Sequence, residues 1–347
     1  MRLLVEILHP AHVHVFRNAI QEWRARGDEV LVLSREKECA NELLEKFDIP
    51  YISISRLGQR KTSLLIEMLV RDGRMWSAAL RFKPDVLVGI MGVTIAQVGK
   101  LIKKPAIVFY DTENAKLTNR FVYPLAHSVC TPDCYQGKVN GHHVTYPSYH
   151  ELAYLHPNRF MPDVKKIRSA GLDPDRPYFI LRFVSWQASH DIGEIGLNLE
   201  FKQELVRLLA EHGRVLISSE SPLPLEFEPY RFSLPIEIMH HAIAHAAMLI
   251  GESATMASEA AVLGVPAFFI SDTGRGYTDE EEKDYQLVYN YTTQETAQAM
   301  SKLRELLRES DLKSLFQSRR QKLLQDKIDT TTWMINYVDQ VVDSLEL

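Results

Sequence analysis

A chain of 347 residues, 46% hydrophobic and 24% charged, is long enough to bury two ordinary cores, so two domains are expected. The net charge of −5 and pI near 6.2 argue against generalised nucleic-acid binding, and three cysteines (Cys39, Cys130, Cys134) leave one over and make no disulfide framework. The start carries no charged segment leading into a long apolar run, and no stretch of about 18 uncharged apolar residues follows, so a cytoplasmic protein is expected.

In chain order, Arg2 to Leu8 reads as a strand, His9-Pro10-Ala11-His12-Val13-His14 as the loop after it, and the helix beyond runs to about Arg26. Gly27-Asp28 turns into a strand over Glu29 to Leu33, which completes a βαβ start with parallel geometry. Three histidines in six residues mark a candidate site. His12 or His14 can serve as a general base, or can cap the helix or sit satisfied in the core. A metal cluster is disfavoured because no carboxylate or cysteine stands beside them. Residues 61–85 form an amphipathic helix in which Arg71, Arg74, Arg81 and Lys83 alternate with Leu, Met and Trp. Such a pattern is a solvated face over a core-facing stripe, or a surface that adheres to anionic lipid. Strands follow at Val86 to Ile90 and Pro105 to Tyr110. The second ends in Asp111-Thr112-Glu113, at the carboxyl end where open α/β sheets place ligand-binding residues. Two carboxylates so close can push one pKa upward and make a proton acceptor near neutrality. The His142-His143 pair and Tyr154 to Arg159 read as a loop into the domain connection.

A Pro-rich irregular stretch separates two halves with similar rhythm, and the boundary is placed near residue 165. Asp173-Pro174-Asp175 lies in a linker turn before a strand, the wrong setting for a metal site. The second half opens with the strand Tyr178 to Phe183, after which Arg182, Ser185, Gln187, Ser189, His190 and Asp191 concentrate polar groups. A helix over Leu199 to Glu211 and a strand over Arg214 to Ser218 lead to Ser219. Pro235 to Met239 then precedes a helix through Ala247, on which His240, His241 and His245 read as helix-face residues. The strand Met248 to Ile250 runs into Gly251-Glu252-Ser253-Ala254-Thr255, and a helix carrying Glu259 stops at Gly264 with Pro266 beyond. A helix amino end at the carboxyl end of a strand offers unpaired N–H groups and a favourable dipole to an anion. Ser253 and Thr255 add hydroxyls there, and Glu259, one turn deeper, is placed to accept from a ribose diol. Together they outline a nucleotide-diphosphate site, although Ser253 is equally an N-cap and Glu259 a helix-surface residue. Arg275, in the glycine-flanked loop after Ile270, presents a forked donor for phosphate or is a surface arginine. Helix covers Gln294 to Leu323, and a last helix begins after Asp329.

Ser253, Glu259, Gly264 and Pro266 stand at the spacing of the SGGxQEExxxLGxP stretch of the non-hydrolysing UDP-N-acetylglucosamine 2-epimerases, which the segment resembles. It is also similar to the corresponding segment of the N-acetylglucosaminyltransferase that makes lipid II. Ala254 and Thr255 replace glycines of the epimerase pattern. Glu113, Asn119-Arg120 and Thr131-Pro132 fall in the epimerases' order, whereas Met91-Gly92 stands where they carry Gly-Asp with a catalytic acid. The phrases HPAHVHxFxN, LHPNRF, LRFVSWxASHDIG and GESATMASEAAVLG also resemble an uncharacterised prokaryotic family, catalogued as a domain of unknown function.

The resemblance implies the GT-B architecture: α/β, two Rossmann-like domains whose parallel sheets face each other across a cleft. The acceptor side is then residues 1–165, joined by the terminal helix 329–347, and the nucleotide-sugar side is residues 166–328. It implies a metal-independent glycosyltransferase acting on a UDP-sugar in surface-glycan or glycolipid assembly, with His12, His14, Glu113 and Asp111 as catalytic candidates. Donor contacts are expected from Arg182, Ser185, Gln187, His190, Ser219, Ile236, Ser253, Ala254, Thr255, Glu259 and Arg275, with Ile236 in the uracil-gripping segment. No metal and no cofactor other than the donor substrate is expected. The partners are that donor and a sugar or lipid-linked acceptor, with peripheral contact at the inner membrane face. The alternatives are a nucleotide-sugar 2-epimerase and a non-catalytic nucleotide-sugar-binding protein.

Overall fold

Runs rich in Val, Leu and Ile, bounded by Gly, Pro and Asp turns, become fully buried parallel strands, because only a strand covered on both faces can be apolar at every position. The computed structural model describes residues 1–56, 61–113, 119–120, 122–184, 196–219 and 221–346. The chain divides into two compact units, residues 1–159 with 328–347 and residues 160–327, a division that falls a little before residue 165.

The first unit contains β1 (Arg2–Ile7), α1 (Pro10–Ala25), β2 (Glu29–Glu36), α2 (Ala40–Lys46), β3 (Tyr51–Arg56), α3 (Lys61–Phe82), β4 (Val86–Ile90) and α4 (Val93–Ile102). It continues with β5 (Ala106–Phe109), β6 (Ser128–Pro132), β7 (His143–Tyr146) and the short α5 (Leu152–Leu155). Its sheet order is β3-β2-β1-β4-β5-β6-β7, parallel throughout. Because the order reverses between β1 and β4, the loops after those strands open a crevice at the carboxyl end. The stretch expected as a loop after residue 142 instead adds β7 as an edge strand, with Thr131 paired to Thr145.

The second unit contains α6 (Val164–Ser169), β8 (Tyr178–Phe183), α7 (Leu199–Ala210), β9 (Arg214–Ser219), α8 (Met239–His245), β10 (Met248–Gly251), α9 (Ala254–Val262), β11 (Ala267–Ile270), α10 (Gly276–Lys283) and β12 (Val288–Tyr291). Two helices, α11 (Thr296–Leu306) and α12 (Leu312–Asp326), replace the single long helix expected there. The parallel order β12-β11-β10-β8-β9 reverses between β8 and β10. Arg182 and Gly251, paired across that reversal, therefore stand at the ligand-binding end. The terminal helix α13 (Thr330–Glu346) packs on α1 and α5 of the first unit, where Thr330 Oγ1 donates to Tyr149 O at 2.7 Å.

Candidate functional site

In the second unit the strand-to-helix turn after β10 is built by a glycine and a cap. A Cβ on Gly251 would meet the Arg182 carbonyl oxygen at 2.0 Å, so only glycine lets β10 approach β8 here. Ser253 has extended backbone, and its Oγ accepts from Met256 N at 3.3 Å, which makes it the N-cap of α9. The cap satisfies one amide. Among the described residues, the N–H groups of Ala254 and Thr255 donate to no partner, and no acidic residue occupies the first turn. The turn thus presents unsatisfied donors and the positive end of a helix dipole.

The residues around this turn are fixed by polar contacts that no motif announces. Glu252 accepts from Val184 N at 3.0 Å and Leu197 N at 2.7 Å and lies 3.6 Å from the buried Lys202 ammonium. It ties down both ends of the segment that holds Ser185, Gln187, Ser189, His190 and Asp191, positions that lie outside the described residues. Arg182 donates from Nη1 to Ser218 Oγ at 2.9 Å, and the Ser219 hydroxyl caps the following turn by accepting from Ser221 N. Ile236 is half-buried in a single 3-10 turn over Ile236–Ile238. Glu259 is buried, with its carboxylate 2.9 Å from His240 Nε2. His240 and His241 are therefore core residues of α8 and not the helix-face residues expected: His241 Nδ1 accepts from Asp163 N. Arg275 is half-buried at the start of α10 and donates to the neighbouring Gly274 carbonyl.

In the first unit the three loop histidines go to three different tasks. His9 is the N-cap of α1, accepting from Ala11 N at 3.2 Å. His14 is buried, with ring centroids 5.3 Å from Tyr154 and 5.8 Å from Phe47, so it belongs to the core and does not fit the base role expected of it. His12 is buried and accepts from Leu8 N at its Nδ1. That bond leaves the hydrogen of the neutral ring on Nε2, which makes His12 a donor. Burial first, then the charges of His9 and His150, hold its pKa well below the usual imidazole value.

Asp111 follows β5, and its carboxylate is 2.8 Å from His150 Nδ1, with Thr112 Oγ1 donating at 3.0 Å. Burial raises its pKa, but the His150 charge and hydrogen bond outweigh it and bring Asp111 to about 2. Asp111 is therefore not the member of the Asp111/Glu113 pair whose pKa rises: it stays an anion. His150 is pulled down by burial and, more strongly, up by Asp111, so its pKa is raised. Glu113, half-buried, accepts from Gln136 N at 3.3 Å. At the end of β4, Met91 and Gly92 adopt φ of 61° and 51°, and no acid stands in that turn.

Two parallel doubly wound units, each with polar groups gathered at the carboxyl ends of its strands, define the GT-B class. Residues 1–141 match the family described as protein of unknown function, DUF354. A curated relative, an uncharacterized protein of Methanocaldococcus jannaschii, is 24% identical over 128 residues, which is 37% of this chain and only 38% of that relative's length. Among solved structures, the Staphylococcus aureus MnaA co-structure with UDP is similar over 99% of this chain and 97% of that one, with a TM-score of 0.70 at 10% identity. The spinosyn forosaminyltransferase SpnP is similar over 99% of each chain (TM-score 0.63, 12% identity). The UDP-GlcNAc 2-epimerase of Methanocaldococcus jannaschii is similar over 87% of this chain and 92% of that one (TM-score 0.58, 13% identity). Similarity at these identities shows a shared fold.

Proposed function

We propose that this protein is a metal-independent glycosyltransferase that takes a UDP-sugar donor and a sugar or lipid-linked acceptor in surface-glycan or glycolipid assembly. The observation that carries the reading is the amino end of α9, with a hydroxyl and two amides that find no acceptor among the described residues, at the β8/β10 reversal. The MnaA co-structure with UDP, a protein of the same fold, supports a nucleotide diphosphate as the ligand. In this reading the amides of Ala254 and Thr255 and the Ser253 hydroxyl hold the diphosphate, Arg182 and Arg275 supply cations, the Ile236 turn takes the uracil, and Glu259, backed by His240, takes the ribose. Ser185, Gln187, His190 and Ser219 complete the donor contacts.

The acceptor oxygen bonds to the anomeric carbon as the bond from that carbon to the diphosphate oxygen breaks, and the acceptor proton passes to a carboxylate. Glu113 is assigned as that proton acceptor, because Asp111 is held near 2 and His12 presents a hydrogen. Asp111, oriented by His150, accepts a second hydroxyl, and His12 Nε2 donates to an oxygen. The negative charge that grows on the departing UDP is stabilised by the α9 amino end, which needs no metal. The dipole contributes about 0.3 to 2 kcal/mol. Micromolar affinity requires roughly 8 kcal/mol, so base, ribose and sugar contacts supply most of it.

A thermal-shift panel of UDP-, GDP-, CMP- and dTDP-sugars, followed by turnover with the stabilising donor, tests the proposal. UDP-sugars should raise the melting temperature, and Glu113→Gln should cut turnover by about 100-fold or more with donor binding intact. Full turnover in that variant would remove Glu113 from the reaction. Incubation with UDP-N-acetylglucosamine in D2O separates the alternatives. Deuterium at C2 without acceptor would favour epimerisation, against which the missing acid at Met91 already counts. Binding without hydrolysis, transfer or exchange would leave a non-catalytic binding protein.

A further inference from the structure

The outward face of α3 is apolar. Ile66, Leu69, Val70, Trp76 and Leu80 are between 42 and 65% exposed, and their spacing with Gly73 puts them on one continuous stripe of the helix. A surface helix ordinarily turns such a stripe inward, but here the polarity is reversed. Arg71, expected on the solvated face, is buried: its Nε donates to Thr94 Oγ1 at 3.0 Å, its Nη1 lies 3.3 Å from Glu67, and Glu6 stands 4.0 Å away. Glu67 in turn holds Arg35 at 2.6 Å. The inward face of α3 is thus an ion-paired network beside Met75 and Ala79, and the outward face is left to Ile, Leu, Val and Trp.

The charges around the stripe say what covers it. The exposed cations Arg74 and Arg81, seven residues apart, line one edge of it, Lys83 follows the helix, and among the described residues of α3 no acidic side chain is exposed. An apolar strip edged by cations, in a chain of net charge −5, is complementary to a layer whose surface is anionic and whose interior is hydrocarbon. Trp76 adds an indole, which favours the headgroup boundary. A second copy of the chain would set Arg74 and Arg81 against their like. Among the described residues no helix is long and apolar enough to cross a membrane, so α3 would lie on the surface. We infer that the outward face of α3 seats on an anionic phospholipid bilayer.

The inference is independent of the sugar-transfer reading and fails separately from it. Co-sedimentation of the full chain with phosphatidylcholine vesicles, with and without phosphatidylglycerol, is the test. The protein pellets with the anionic vesicles, and added salt weakens the binding. Arg74→Ala with Arg81→Ala lowers partition by about 25-fold, at about fivefold per charge. Leu69→Glu with Trp76→Glu abolishes it while the melting temperature holds, since both side chains are exposed in the free protein. Equal pelleting of all variants, or no pelleting of the wild-type chain, overturns the inference. So does dimerisation that Trp76→Glu abolishes, in a protein that ignores vesicles.

Discussion

Asp111 and His150 form a charge pair whose two pKa values move apart, Asp111 down and His150 up. His150 has a raised folded pKa, so its contribution to stability is fully present below the unfolded value of about 6.5 and is lost as pH climbs through the folded one. Asp111 contributes fully above its unfolded value of about 3.9 and loses that contribution as pH falls toward its folded value of about 2. The pair is therefore strongest between roughly pH 4 and 6.5. His150→Gln should cost on the order of 3 kcal/mol at pH 6, because it leaves the Asp111 charge without its partner. The deficit should shrink toward pH 9. Denaturant titrations of both proteins across that range check the sign, and a deficit that grows with pH would contradict it. His150 is invisible in the sequence because its partner is distant along the chain and no motif links them. Asp111 is legible, since it ends an apolar strand, but its ionisation depends on a residue the chain order does not reveal. His14 misleads for a related reason: a histidine in a polar-looking loop reads as chemistry until Tyr154 and Phe47 close around it.

The turn between β10 and α9 is the most readable element of the chain. Apolar strand, small-residue turn, helix with Gly264 and Pro266 as stops, and apolar strand again are local signals, and each describes what the backbone does there. The close approach of β10 to β8 gives the turn its testable rigidity. Gly251→Ala would drive a methyl group into the Arg182 carbonyl and should destabilise the protein by about 3 kcal/mol, or prevent soluble expression. Gly73→Ala is the matched control, because nothing lies within 4 Å of the place its methyl would take and an exposed helical glycine gains about 0.5 to 1 kcal/mol on substitution. Thermal melts that rank the two variants in the opposite order would refute the packing argument. Less legible is β7, a four-residue strand that begins at the exposed His143, because a sheet edge tolerates polar residues that a central strand excludes. The polarity of α3 reads backwards from sequence for a comparable reason. A helical period identifies two faces, but whether Arg71 or Trp76 turns inward is decided by Glu6 and Thr94, which meet Arg71, and by Arg35, which meets Glu67 on the same face.

At the scale of the whole molecule, the βα rhythm of the chain is enough to specify two parallel units, and the sheet orders place both sets of polar groups at strand carboxyl ends. The terminal helix α13 belongs to the first unit, as a GT-B chain requires. The Trp333 ring packs at a tilt against Tyr146, with centroids 4.6 Å apart, and Arg159 pairs with Asp329 at 2.7 Å. The nucleotide itself is the level at which sequence and fold stop short, because a helix amino end accepts any diphosphate and specificity resides in the contacts around it. The central claim, that the amino end of α9 holds the diphosphate of a nucleotide sugar, is tested most directly by calorimetric titration of UDP into the wild-type protein and into Thr255→Glu. An acid in the first helical turn stabilises the helix by about 0.3 to 1 kcal/mol, so the variant should stay folded while its charge repels the ligand. The account predicts saturable UDP binding that weakens by about tenfold or more in Thr255→Glu, with an unchanged or raised melting temperature. Equal UDP affinity in the two proteins, or no binding to either, would contradict it.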